Sequence, residues 1–232
     1  MGNVASQVWN GSHMTLAGAK ASERTTQPLT RSQIVAAGMR LLKREGAAGL
    51  SMRKLANELG KAPAAVYRHL SDKRELMSLL FDEVSRQFVI PDAGDDPREE
   101  IIEAVENAHR VMEEHKWIVT VILDGTLLTP NSLRLSQFIL NTMIRGGMSD
   151  AQAARLHVAI WQYVLGHLLV AQSKGWYLLP RSYNGFTRIG DKLDEYPAVR
   201  RIAPVVNEMS DHERFAAGLK ALLDGAFAET AD

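Results

Sequence analysis

The chain has 232 residues, 46% of them hydrophobic, with no cysteine and with 27 basic side chains against 27 acidic ones. That apolar content fills one large core or two small ones. The lack of thiols excludes disulfides and thiolate metal sites, and no run approaches the roughly 20 apolar residues of a membrane span. The start lacks the charged-then-apolar pattern of a leader, so a cytoplasmic protein without a membrane partner is expected.

In chain order, residues 1–27 are polar and rich in Gly, Ser, Thr and Asn, the composition of an unstructured tail. Gly11-Ser12-His13-Met14 resembles the scar of a cleaved expression tag, so His13 is no ligand. Thr30 and Gln33 stand at capping-box spacing. After them Ile34, Ala37, Gly38, Leu41 and Leu42 form the stripe of a first helix within Leu29–Gly49, with Arg31 near its start. Ser51 caps a second helix whose stripe is Met52, Leu55, Ala56 and Leu59. Gly60 supplies the turn, Pro63 opens a third helix, and Val66 and Leu70 point inward four residues apart. Arg53, Lys54, Lys61, Arg68, His69, Lys73 and Arg74 stay at the surface. Two short helices joined by a tight turn, with a polar outer face, predict a helix-turn-helix. Asp72 and Glu75 are spaced as a second capping box, opening a fourth helix to about Phe88, and Pro91–Pro97 breaks the chain.

Beyond that break the periodicity stays helical. Arg98–His115 carries Ile101, Ile102, Val105, Ala108 and Met112. A short helix around Trp117–Asp124 follows, then Asn131–Arg145 after Pro130, stopped by Gly146-Gly147. Ser149 and Gln152 cap a long helix, about Asp150–Lys174, that is apolar on more than one face and so needs cover on both sides. A loop with short helical pieces is expected over Gly175–Asn207, broken by Pro180, Gly185, Gly190, Pro197 and Pro204. Ser210 and Glu213 cap a last helix with the stripe Phe215, Leu219, Leu222, Leu223 and Phe227. No stretch alternates as a strand does, so the fold class is all-α.

The charge is unevenly placed. Residues 24–75 hold 11 Lys and Arg against 4 Asp and Glu, and residues 76–232 hold 15 against 22. A basic head on an acidic body suits a protein whose head alone meets polyanionic DNA, although chance placement of solvated charge gives the same count.

The stretch RKLANELGKAPAAVYRHLSDKREL resembles the DNA-binding region of the tetracycline-repressor (TetR) family of bacterial regulators. The matching residues are Arg53-Lys54-Leu55-Ala56, Leu59-Gly60, Ala65-Val66-Tyr67-Arg68-His69 and Lys73, within a similarity that covers about Thr26–Val84. HKWIVTVILDG, IRGGMSDAQAARLHVAIWQYVLGHL and HERFAAGLKALLDG resemble, more loosely, the carboxy-terminal domain of the same family. The resemblance implies a tail at 1–27, a helix-turn-helix DNA-binding domain at 28–75, and a helical effector-binding and dimerisation domain at 76–232. It also implies a homodimer, paired through the long and last helices, that binds a palindromic double-stranded DNA operator as a repressor and is released by a small apolar or aromatic effector. A constitutive DNA-binding regulator without effector is the alternative.

A reading helix of about eight residues, roughly 12 Å long, is expected to enter the major groove. In the family pattern its opening turn faces base edges, and here that turn is Ala62, Pro63, Ala64 and Ala65. These side chains reach thymine methyls but make no bidentate bonds, which leaves Arg53 as the candidate for guanine. Tyr67, His69 and Lys73 match phosphate-gripping positions, and Arg68 reaches phosphate or base. Lys61 stands where the family usually has a small apolar residue and adds a possible phosphate contact. The ring of Tyr67 equally suits the head's small core.

For the effector, Trp117, Trp161, Tyr163, Trp176, Tyr177, His109, His157 and His167 fall in the helices that would surround the family's pocket, and Trp117, His157, Trp161, Tyr163 and Trp176 are the candidates; His157 and Trp161, four apart, share a helix face. Aromatic residues at helical spacing serve as plain core just as well. His157 and His167 lie about 15 Å apart along one helix, too far to share an ion. His109 with Glu113, or His115 with a distant carboxylate, is the remaining arrangement, and no metal or cofactor is expected. Phosphate loops, nucleophile elbows and zinc-binding H-E-x-x-H are missing, so an all-helical enzyme is the weaker reading. A helical adaptor leaves the basic head unexplained.

Overall fold

Ten helices, and no strand, form among the residues described by the computed structural model, which are 28–123, 125, 128–172 and 195–229, without the side chains of 203, 206 and 207. The tail at 1–27 and Trp176 lie outside them.

The head is α1 (Arg31–Gly49), α2 (Met52–Glu58), α3 (Pro63–Tyr67) and the first turns of α4 (Lys73–Ser85). The Thr30–Gln33 capping box opens α1, and the Ser51 hydroxyl accepts from the N–H of Lys54 to open α2. Ile34, Ala37, Leu41, Leu50, Leu55, Val66, Leu70, Leu76 and Leu80 close one apolar core among these helices. Each of the larger of these side chains contributes about 1.5–3 kcal/mol on leaving water.

Gly60 sets the angle between α2 and α3. Its φ of 62° places it in the left-handed region. There its N–H bonds the Asn57 carbonyl, and the Lys61 N–H reaches back to Ala56, so two otherwise orphan carbonyls are satisfied in a Schellman turn. The same device ends α7: Gly147 has φ 95°, and the N–H of the buried Met148 bonds the Met143 carbonyl.

Three expectations need correction. α3 has five residues rather than about eight, roughly 7.5 Å of helix. Ala62 has no side chain with which to cap it, and the Val66 carbonyl accepts from both His69 and Leu70 as the chain turns to bury Leu70. At α4, Asp72 accepts from the Glu75 N–H, but the carboxylate of Glu75 returns to Ser71 rather than to Asp72. Finally, Pro197 and Pro204 do not break a loop but lie in one helix, α9 (Pro197–Glu208). Pro197 sits in its first turn, where no N–H is needed, and Pro204 removes a single rung.

The body is α5 (Pro97–Glu114), α6 (Ile118–Leu123), α7 (Pro130–Arg145), α8 (Asp150–Gln172), α9 and α10 (Asp211–Ala228). α5 packs on α7, α8 and α10, and α8 also packs on α7 and α10. On α8 the face Ala153, Leu156, Ile160, Val164 and Leu168 is buried within the chain, as are Phe215, Leu219 and Leu223 of α10; Leu222 and Phe227 are half-buried.

α4 belongs to both halves. It packs on α1 in the head and on α6 and α7 in the body. The carboxylate of Asp82 accepts from the backbone and side-chain N–H groups of Asn131, at 2.9 and 3.0 Å, and so holds α4 to the start of α7. Arg134 adds a bond to the Phe88 carbonyl at 2.8 Å. None of the described helices is long and apolar enough to cross a membrane.

Candidate nucleic-acid interface and effector region

All four acidic side chains of the head have assigned partners. Glu58 accepts from Arg40 at 2.9 Å and from Arg44 at 3.0 Å; the Arg40 bond, then the Arg44 bond, holds its carboxyl below the usual range. Glu45 pairs foremost with Lys54, which lowers it likewise. Asp72 and Glu75 cap α4. The sequence count of head charge therefore resolves into two populations. Arg40, Arg44 and Lys54 tie α1 to α2, whereas Arg53, Arg68 and Arg74 are exposed and have no carboxylate partner among the described residues.

The DNA-facing candidates fall on the outside of the head. Arg53 lies in the first turn of α2 and is exposed. Pro63 and Ala64 are exposed at the start of α3, and Ala65 and Lys61 are half-buried. Tyr67 is 53% exposed, so the small core does not claim its ring. Arg68 and His69 are exposed just past α3. Lys73 has a second attachment that the sequence does not show: its ammonium donates to the Ala47 carbonyl at 2.9 Å, joining the start of α4 to the end of α1.

In the body, the effector candidates separate. The indole N–H of Trp161 donates to Nε2 of His157 at 3.0 Å, and burial pushes the His157 imidazole below its ordinary pKa. Trp117 is half-buried against the core. Tyr163 lies two residues from Trp161, about 200° around the helix, and its hydroxyl donates to the carbonyls of Arg214 and Phe215 on α10 at 3.1 and 3.0 Å. Its ring stacks on Phe215 and burial raises its pKa. Tyr163 thus joins α8 to α10, while His157 and Trp161 occupy the opposite flank.

On the Tyr163 flank the structure brings together two histidines that spacing along one helix cannot reveal. Nε2 of His109 on α5 lies 2.9 Å from Nδ1 of His167 on α8, and Nε2 of His167 lies 3.2 Å from the Asp211 carbonyl. His109 also stacks on Phe215 with centroids 3.8 Å apart. Burial foremost, then the His167 and His212 charges, pushes the His109 pKa down to about 4. A sequence signal for it exists, since His109 sits four residues after Val105 and three before Met112, on the buried stripe of α5. Among the described residues no three metal-ligating side chains cluster.

An N-terminal helix-turn-helix whose uncompensated cations face outward, carried on a helical body by a shared helix, defines a DNA-binding regulator. The chain belongs to the TetR family. Residues 34–80 match the model for bacterial regulatory proteins of the tetR family, and residues 90–229 match the tetracyclin repressor-like C-terminal domain. An HTH-type transcriptional regulator of Saccharopolyspora erythraea is 33% identical over 144 residues, which span 62% of this chain and 61% of that relative, less than two thirds of its length. The HTH-type transcriptional repressor DrrR1 of Streptomyces coeruleorubidus is 27% identical over 90% of this chain and 81% of its own. Among solved structures, the TetR family protein ActR from Streptomyces coelicolor superposes with a TM-score of 0.74 in complex with (S)-DNPA. The match has 25% identity and covers 88% of this chain and all of that one.

Proposed function

We propose that this regulator acts in the cytoplasm as a homodimeric repressor that binds a palindromic operator and is released by a small, largely apolar or aromatic effector. The observation that carries the dimer is on α8. After its inner face is buried within the chain, Val158, Gln162, Leu165 and Leu169 remain along the outer face, at spacings of four, three and four. Val158 is 54% exposed and Leu169 41%. That heptad seam fits a second helix, and α10 offers the small residues Ala217, Ala221 and Gly225 on its own exposed face. A dimer doubles the few base contacts that a five-residue reading helix can make.

On DNA, Arg53 reads a guanine, Pro63, Ala64 and Ala65 meet thymine methyls, and Lys61, Tyr67, Arg68, His69 and Lys73 hold phosphates. The effector reading is supported by the ligand complex of ActR and by aromatic groups with polar handles in the body, Trp117 and the His157–Trp161 pair foremost. α4 transmits the signal, since it packs in the head and is clamped by Asn131 and Arg134 in the body. A coupling of about 1–3 kcal/mol gives roughly 5–150-fold derepression. Sedimentation at micromolar concentration, with anisotropy titrations on a full operator and on a half-site, tests the arrangement. A dimer that binds the palindrome far more tightly than the half-site is expected, and a monomer that binds both equally overturns it.

A further inference from the structure

The cleft beside the histidine pair has a volume of 480 Å³, within the range of small-molecule sites. Its α5 wall presents Glu103, Glu106, His109 and Glu113 at intervals of three, three and four, on one face of the helix. His167 of α8 and the start of α10, Asp211 and His212, close the other sides. Arg110 also lines it and is paired with Glu114 at 3.7 Å, and Asp211 is paired with Arg214. Glu103, Glu106 and Glu113 have no ion-pair partner among the described residues.

The histidine pair has a fixed polarity. A backbone carbonyl only accepts, so Nε2 of His167 donates to Asp211. Nδ1 of His167 is then an acceptor, and Nε2–H of His109 donates to it. This leaves the lone pair on Nδ1 of His109, a side chain only 4% exposed, without a hydrogen-bond partner among the described residues. His109 lines the cleft, so a donor seated there can satisfy that lone pair.

We propose that this cleft binds an organic cation, an ammonium or amidinium group on an apolar or aromatic body, which donates an N–H to Nδ1 of His109 and takes Glu106 and Glu113 as counter-charges. The proposal deepens the reading of the body as an effector domain and rests on it. Its link to the head is short. Asn107 and Val89 line the same cleft, and the side-chain carbonyl of Asn107 accepts from the Val89 N–H at 2.8 Å, just beyond the end of α4. A ligand seated against Asn107 therefore touches the bond that fixes the exit of the helix shared by head and body.

The test is a fluorescence titration of the full chain, without DNA, using dansylcadaverine, a primary ammonium on an aromatic body, and its neutral N-acetyl derivative. The amine is expected to bind roughly tenfold or more tighter than the acetylated compound. His109→Phe, which keeps a ring on Phe215 but removes the acceptor, weakens the amine about tenfold. The Glu106→Gln/Glu113→Gln double variant weakens it similarly and flattens its salt dependence. Circular dichroism checks folding, and if His109→Phe does not fold, the double glutamine variant decides. Equal affinity for the two compounds, no saturable binding at millimolar amine, or unchanged amine binding in the folded variants overturns the proposal. Because this readout contains no DNA, a neutral aromatic compound that releases operator preserves the effector reading even if the cleft fails. If the amine binds and neither it nor any other compound releases operator, the cleft stands and the effector reading falls.

Discussion

At the scale of single residues, ion pairing separates side chains that the sequence treats alike. Arg53 and Lys54 are neighbours in one motif, yet Lys54 is bound to Glu45 and Arg53 is not. Arg53→Ala is expected to cost about 1–3 kcal/mol on operator and much less on scrambled duplex. Lys73→Ala should weaken both duplexes, reduce the salt slope by about one phosphate, and also lower thermal stability through the lost bond to Ala47. Parallel titrations and melts distinguish the two variants. His109 gives a pH prediction with a definite sign. Its folded pKa, about 4, lies below the ordinary 6.5, so the unfolded chain binds more protons between these values and stability falls as pH drops from 6.5 towards 4. The loss is at most about 3 kcal/mol at roughly 1.4 kcal/mol per unit. Denaturant melts at pH 7.5 and pH 5 should show this slope, and it should shrink in His109→Phe.

At the scale of elements, the helix pair α8–α10 depends on a missing methyl group. A Cβ built on Gly218 collides with the hydroxyl of Tyr163, which is held by two α10 carbonyls and cannot swing aside without giving up both bonds. Gly218→Ala should therefore destabilise the body by about 1–3 kcal/mol, as overpacking does, despite the higher helix propensity of alanine. Urea melts of Gly218→Ala alone and with Tyr163→Phe check this, and the second change should recover part of the loss. Capping explains why most element starts were legible in the sequence: Thr30, Ser51, Ser149 and Ser210 all bond the N–H three residues on. The length of α3 was not, because it ends where Leu70 enters the head core. The helix across Pro197 and Pro204 was missed because proline was read as a breaker when one of the two stands at a helix start.

At the scale of the whole molecule, α8 has two apolar faces with different fates. Its inner face is consumed by α7, α10 and α5, whereas Val158 and Leu169, with the half-buried Leu165 between them, lie along an outer seam where the proposed dimer pairs. Val158→Glu/Leu169→Glu is expected to shift sedimentation towards monomer and to reduce operator affinity, while the helical circular dichroism of each chain is retained. A dimer that persists with unchanged affinity would place the interface elsewhere. The Asp82–Asn131 clamp makes α4 one body with the start of α7, so domains cut at residues 75 and 76 share a helix rather than a linker.

The sequence by itself determined the all-α class, the helix-turn-helix with its glycine turn, the basic head and the capped helix starts, because each depends on contacts within a few residues. It also marked His157 and Trp161 as neighbours, since four residues on one helix fix their proximity. Tertiary structure decided which head cations are paired with carboxylates, because Glu45 and Glu58 choose their partners across α1 and α2. It also decided that Tyr163 leaves its expected group to join α10, and that His109 meets His167 fifty-eight positions away. Those pairings depend on how α5, α8 and α10 pack, and periodicity along one helix carries no information about the face another helix brings to it.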